Sequence, residues 1–238
     1  MKETQLERKA LKWFMNQGYD YLCGSDIACG ANKHERRDHN QVILSSRLLS
    51  ALKKINPDIQ HNVLDEVSTM VEKTEHLSLI VNNQSFHQKL LEGVDVEIEI
   101  GGEKRGDSVK LIDFNNPLNN DFLIVDQFIV RGNNRFHKPD FIVFINGLPI
   151  AIIELTNPED KSMDIGSAFS QLQTYKSEIP DLFLYNEALV VSNGPMARIG
   201  SLTAEKGEFM PWRTLENEQN PYAVEPELKT LISGFFNK

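Results

Sequence analysis

Two carboxylates stand where the chain is otherwise apolar. Asp140 precedes Phe141-Ile142-Val143-Phe144-Ile145, and Glu154, fourteen residues on, follows Ile150-Ala151-Ile152-Ile153. A carboxylate within an apolar strand pair is costly unless it is hydrogen-bonded, ion-paired or metal-bound. Two of them on one sheet face suit Mg²⁺, which takes hard oxygen ligands and keeps several waters. A Mg²⁺ held there can activate water and offset charge on a phosphate under attack. Thr156 lies two residues past Glu154, on the same strand face. A lysine there would complete an acidic-acidic-basic centre; a threonine cannot supply that charge. The plainer alternative is that Asp140 caps a turn after Pro139 and Glu154 ends a strand in a solvated bridge.

The sharing of a face depends on the turn. Asn146-Gly147 between two apolar runs is a strong hairpin signal. Directly opposed residues of a hairpin point to one face, and Asp140 opposes Glu154 only if the turn is centred on Gly147. A three-residue loop, Asn146-Gly147-Leu148, meets that condition, whereas a two-residue Asn-Gly loop puts the carboxylates on opposite faces. Pro149, unable to donate to the ladder, suits a bulge at that point. The functional reading therefore predicts a bulged or three-residue turn, not a tight one.

The elements around this pair follow from periodicity. Leu6, Ala10, Leu11, Phe14 and their neighbours recur at helical spacing up to Gly18. Residues 20–34 are small and polar and read as a loop. His34 and His39 beside Glu35 and Asp38 are better explained by a solvated charged loop than by a metal site. Helical stretches follow over about 42–55, ending at Asn56-Pro57, and over about 61–75 and 83–92. At Gly93 the period changes to strict alternation, Val94-Asp95-Val96-Glu97-Ile98-Glu99-Ile100, a half-buried strand with a solvated acidic face. A turn over 101–106 leads to a strand at 108–114, and 122–130 reads as another strand. Runs 141–145 and 150–155 are apolar on both faces and belong at the centre of a covered sheet. A helical stripe begins at Ile165, and 188–192 is a further buried strand closed by Asn193-Gly194-Pro195. The expected fold class is α/β with mixed α+β character: a mixed sheet flanked by helices. The expected division is a mainly helical part over 1–92, a mixed-sheet core over 93–215 and a C-terminal helix within 216–238.

Several spaced segments resemble one family. Arg135 through Pro149, including Lys138-Pro139-Asp140 and Asn146-Gly147, and Ile153-Glu154-Leu155-Thr156-Asn157-Pro158 carry the resemblance. Arg47-Leu48-Leu49-Ser50-Ala51-Leu52, Asn115-Asn116-Pro117-Leu118-Asn119-Asn120-Asp121-Phe122 and Phe209-Met210-Pro211-Trp212-Arg213 extend it in order. They are similar to the N-terminal nuclease domain of the restriction (R) subunit of type I restriction–modification enzymes, which has the PD-(D/E)xK fold. The resemblance implies that Asp140 and Glu154 hold Mg²⁺, with the Leu155 carbonyl as a third ligand. It matches Gln171 and Tyr175 to the family's QxxxY motif; four residues apart, they share a helix face beside Ala168 and Leu172. Glu7 matches the acidic residue that such nucleases place near the metal, with Glu3 competing for that role. It implies double-stranded DNA as substrate, modification and specificity subunits as partners, and ATP use only in domains beyond this chain. No GxxxxGK[ST] motif occurs in the sequence, and the chain reads as an N-terminal fragment.

The sequence departs from the family at Thr156, where the family has lysine. An engineered inactive variant, a natural inactive copy, or a lysine brought from elsewhere would each account for this; Lys138 and Lys161 are nearest by sequence. A rival reading from another class is a non-catalytic docking module that keeps the nuclease fold.

Composition sets the frame. The 238 residues carry 25 Lys+Arg against 34 Asp+Glu, a net charge of −9. That excludes a simple basic nucleic-acid module, but not a local cationic cleft lined by residues such as Arg131, Arg135, Lys138 and Lys176. No apolar run approaches the roughly 18 residues of a membrane span, no signal pattern opens the chain, and Cys23 and Cys29 fit no disulfide or zinc motif. The expected setting is the reducing cytoplasm.

Overall fold

The computed structural model describes residues 5–157, 165–213 and 226–238. Its centre is a six-stranded sheet built from β1 (Asp20–Cys23), β4 (Phe122–Asp126), β7 (Phe141–Ile145), β8 (Leu148–Leu155), β9 (Ala188–Ser192) and β10 (Ala197–Gly200), in that spatial order. β1 runs parallel to β4 and β8 parallel to β9; the other pairings are antiparallel. The β8-to-β9 crossover carries α5 (Ile165–Glu178). The two doubly apolar runs are thus the two central strands, and helices cover both faces of the sheet. The fold is mixed α/β, as the sequence implies.

Alternation sorts the strand residues between two cores. Ile142, Phe144 and Ile152 face a core shared with α2 (Ser45–Ile55), α3 (His61–Val71), α4 (Leu79–Glu92) and α5. Phe141, Val143, Ala151 and Ile153 face the other, closed by α1 (Gln5–Asn16) and α6 (Glu227–Phe235). Phe14 of α1 meets Phe236 just past α6, ring centroids 5.2 Å apart.

Four sequence expectations need correction. Residues 20–23 are not loop: they form β1, too short for an alternation signal. The charged loop around His34 and His39 is not simply solvated, because Arg36 within it is buried, donates to the carbonyls of Gln41, Ile129 and His39, and stacks on Phe128. The partner of β2 (Val94–Ile100) is β3 (Glu103–Val109), joined through Gly101 and Gly102 at φ +64° and +87°. Its exposed, charged residues gave no apolar pattern to read. The expected strand 122–130 stops at Asp126, because Gln127 has φ +52° and turns the chain. A separate short hairpin follows, β5 (Val130–Arg131) with β6 (Phe136–His137). Residues 216–225 of the expected C-terminal segment lie outside the described residues.

The β7–β8 hairpin resolves the parity question in an unexpected way. Asn146 (φ +54°) and Gly147 (φ +78°) make a tight two-residue turn, with Ile145 paired to Leu148 and Phe144 to Pro149. The three-residue loop is therefore wrong. The next pair is Val143 with Ala151, so Ile150 is an extra residue and the register shifts by one at a bulge. The expected bulge beside Pro149 is present. Asn146 fits its left-handed backbone with little strain. Fully buried, its side chain donates to the carbonyl of Leu111 and to Asn120 and accepts from the backbone of Asp121.

Candidate active site

Beyond the bulge, Phe141 pairs with Ile153, and the same register continued one step sets Asp140 against Glu154. The bulge thus brings both carboxylates to the α5 side of the sheet. Asp140 accepts a hydrogen bond at Oδ2 from the backbone N–H of Leu155, 2.7 Å away. Glu154 is only 8% exposed, so it is not in a solvated bridge. Its Oε1 lies 3.4 Å from the Tyr175 hydroxyl, and its Oε2 is buried without a hydrogen-bond partner among the described residues.

These surroundings disfavour the charged forms. Burial pushes the Asp140 carboxyl up to about 6; the Leu155 N–H and the Lys138 ammonium pull against this, and the Glu7 carboxylate adds to it. Burial, and next the Asp140 charge, hold Glu154 well above its ordinary range, with Glu7 contributing in the same direction. Glu7 on α1 therefore lies within electrostatic reach of both carboxylates. Among the described residues, no three His, Cys, Asp or Glu side chains converge closely enough to hold a metal ion. Glu3, its competitor, lies outside the described residues. The oxygen donors at hand are the Asp140 and Glu154 carboxylates and the neighbouring Leu155 carbonyl. This hard set, with one buried carboxylate oxygen left unmet, fits a divalent cation such as Mg²⁺.

Tyr175 is a core residue of α5 rather than part of a polar margin. Its hydroxyl also lies 3.4 Å from the Lys138 carbonyl, and Gln171, on the exposed side of α5, hydrogen-bonds to it. The two residues thus form a relay from solvent to Glu154. Beneath Tyr175, the His137 ring packs edge-on at 5.4 Å, and its Nε2 lies 2.6 Å from Glu178, which also pairs with Arg135. Sequence reasoning missed His137 and Glu178, because nothing local links residues 41 apart.

Thr156 is buried. Its N–H donates to the Ser192 carbonyl at 2.8 Å, and its hydroxyl oxygen has no partner among the described residues. Of the possible replacement lysines, Lys138 is near the carboxylates and donates to the side chain of Gln127, while Lys161 lies outside the described residues. Of the expected cleft lining, Arg131 is exposed on β5, Arg135 is tied to Glu178, and Lys176 turns to the Leu202 carbonyl at 2.5 Å.

Comparison with known proteins bears on this arrangement. Residues 1–208 match the family described as type I restriction enzyme R protein N terminus. The chain is 37% identical over 238 residues to the type I restriction enzyme HindI endonuclease subunit of Haemophilus influenzae, covering 98% of this chain and 22% of that protein. It is 34% identical over 223 residues to the putative type I restriction enzyme MjaIXP endonuclease subunit of Methanocaldococcus jannaschii, covering 92% of this chain and 21% of that protein. The type I restriction enzyme EcoprrI endonuclease subunit of Escherichia coli is 24% identical over 242 residues, covering 99% of this chain and 70% of that protein. The chain thus spans about a fifth of the length of the first two relatives. With a family match over most of its length, the chain belongs to the type I restriction enzyme R protein N-terminus family.

Proposed function

We propose that this chain is a Mg²⁺-dependent endodeoxyribonuclease module of the PD-(D/E)xK type. It cuts phosphodiester bonds of double-stranded DNA without sequence specificity, after ATP-driven translocation by other parts of a longer R subunit. Modification and specificity subunits of the complex supply target recognition, and the setting is cytoplasmic. The observation that carries the reading is the buried Oε2 of Glu154, without a partner among the described residues, on the same sheet face as Asp140.

In this mechanism Asp140, Glu154 and the Leu155 carbonyl would hold the cation, which when bound would supply a lowered pKa for water and compensation for charge developing on the phosphate. The Leu155 N–H fixes Asp140. Tyr175, steadied by Gln171, orients Glu154 and stays protonated, because burial raises its pKa. Glu7 lies within electrostatic reach of the pair. Thr156 contributes no charge; a centre left without any such stabilising group would lose about 10²–10³ in rate.

The docking reading is disfavoured by the same two carboxylates. A purely structural module gains nothing from acids held above their ordinary pKa, which lower stability at neutral pH. Isothermal calorimetry tests the assignment. The parent chain should bind Mg²⁺ more tightly as pH rises through about 6, because bound metal displaces the carboxyl proton. The Asp140→Ala, Glu154→Ala double variant should lose that heat; unchanged affinity would remove the metal site and the mechanism with it.

A further inference from the structure

We propose that Lys138, held by Gln127, supplies the cationic group that Thr156 cannot, and contacts the scissile phosphate. The inference rests on the nuclease reading and extends it by one residue. The β7–β8 register beyond the bulge pairs Phe141 with Ile153, and one step further sets Asp140 against Glu154. Lys138, two residues before Asp140 in the segment leading into β7, brings its positive charge within reach of the Asp140 carboxylate.

The ammonium group is placed rather than loose. Lys138 is half-buried, and its Nζ donates to the Gln127 side-chain oxygen. Its own carbonyl lies 3.4 Å from the Tyr175 hydroxyl that also reaches Glu154. Gln127 is placed in turn: it directly follows Asp126, the last residue of β4, which pairs with Phe141. Gln127 also has φ +52°, a left-handed conformation that a non-glycine residue adopts at some cost. Without that turn β4 would run on past Asp126. Gln127 is therefore a positioning residue and Lys138 the group that meets substrate. In the hydrolysis, water attacks phosphorus and the bridging oxygen leaves with the electron pair of the broken bond. Lys138 stabilises the added charge on a non-bridging oxygen and needs no further reactant.

The test uses the chain as it stands, with supercoiled plasmid in Mg²⁺ or Mn²⁺ and a fluorescent duplex in Ca²⁺. Lys138→Met should slow nicking by about 10²-fold, and adding Thr156→Lys to it should recover most of that loss by restoring the charge from the facing strand. In Ca²⁺, Lys138→Met should weaken duplex binding and lower the slope of log affinity against log salt by about one, and the second substitution should restore it. Parent-like nicking by Lys138→Met, with Asp140→Ala inactive, overturns this proposal and leaves the nuclease reading standing. Parent-like nicking by Asp140→Ala overturns the nuclease reading itself. If none of the proteins nicks, the Ca²⁺ experiment decides, and unchanged affinity and slope in Lys138→Met overturn the role of the lysine.

Discussion

Asp140 shows how a site residue works against the fold that holds it. Its carboxyl ordinarily titrates at 3.8 and is raised to about 6, mainly by burial. The folded chain then holds a proton that the unfolded chain has already released. The favourable contribution is complete below 3.8 and is lost as pH rises through about 6. Asp140→Asn removes the charge without changing the shape, so in the absence of divalent metal it should stabilise the protein at pH 7 and not at pH 4. A gain of about 1 kcal/mol corresponds to a Tm roughly 2–4 °C higher for a chain of this size, readable by calorimetry at both pH values. A variant that melts with the parent at pH 7 would show that the carboxyl is better solvated than its burial implies. At this scale the sequence was informative where chemistry clashed with context: a charged residue beside Phe-Ile-Val-Phe-Ile is conspicuous. It was silent on Gln127 with Lys138 and on His137 with Glu178, since those pairs depend on where the backbone turns.

The β7–β8 hairpin is the element on which the site depends. Its turn was legible, because Asn-Gly supplies two residues that tolerate positive φ. Its register was legible only by way of function: the demand that two carboxylates share a face required a displaced register, and the structure supplies it through the bulge at Ile150 rather than a longer loop. β1 and β3 were not legible, one too short and the other too hydrophilic to carry a pattern. Asn146 anchors the turn with three side-chain hydrogen bonds from a fully buried position. Asn146→Ala strains the left-handed backbone and leaves buried polar partners unmet, so it should cost about 3 kcal/mol. Urea denaturation should show the midpoint falling with little change in slope. A loss below about 0.5 kcal/mol would mean that the loops around 111 and 121 hold the turn without it.

Across the whole molecule, a net charge of −9 coexists with a local excess of cations. Lys33, Arg37, Arg131, Arg135 and Lys138 stand in two segments that pack together, with Glu35 and Asp38 beside them, Arg37 paired to Glu72, Arg135 to Glu178, and Arg131 N–H donating to the His39 carbonyl. The second segment leads directly into Asp140. On the proposed nuclease reading, DNA binding by this acidic protein would depend on this patch, not on overall charge. Arg131, exposed on β5, is one of its accessible members. Arg131→Ala should weaken binding of unrelated duplexes alike and lower the salt slope by about one, measured by anisotropy in Ca²⁺; an unchanged slope would place the DNA elsewhere. The bulge has a last consequence, for how the gene can change length. One residue gained or lost between Asp140 and Glu154 moves one carboxylate to the far side of the sheet, so a single-codon insertion or deletion there is not neutral. Two codons together, or one codon traded for the bulge, keep the pair aligned. Among working relatives, length differences within this hairpin should therefore be even, or coincide with the loss or gain of the residue at position 150.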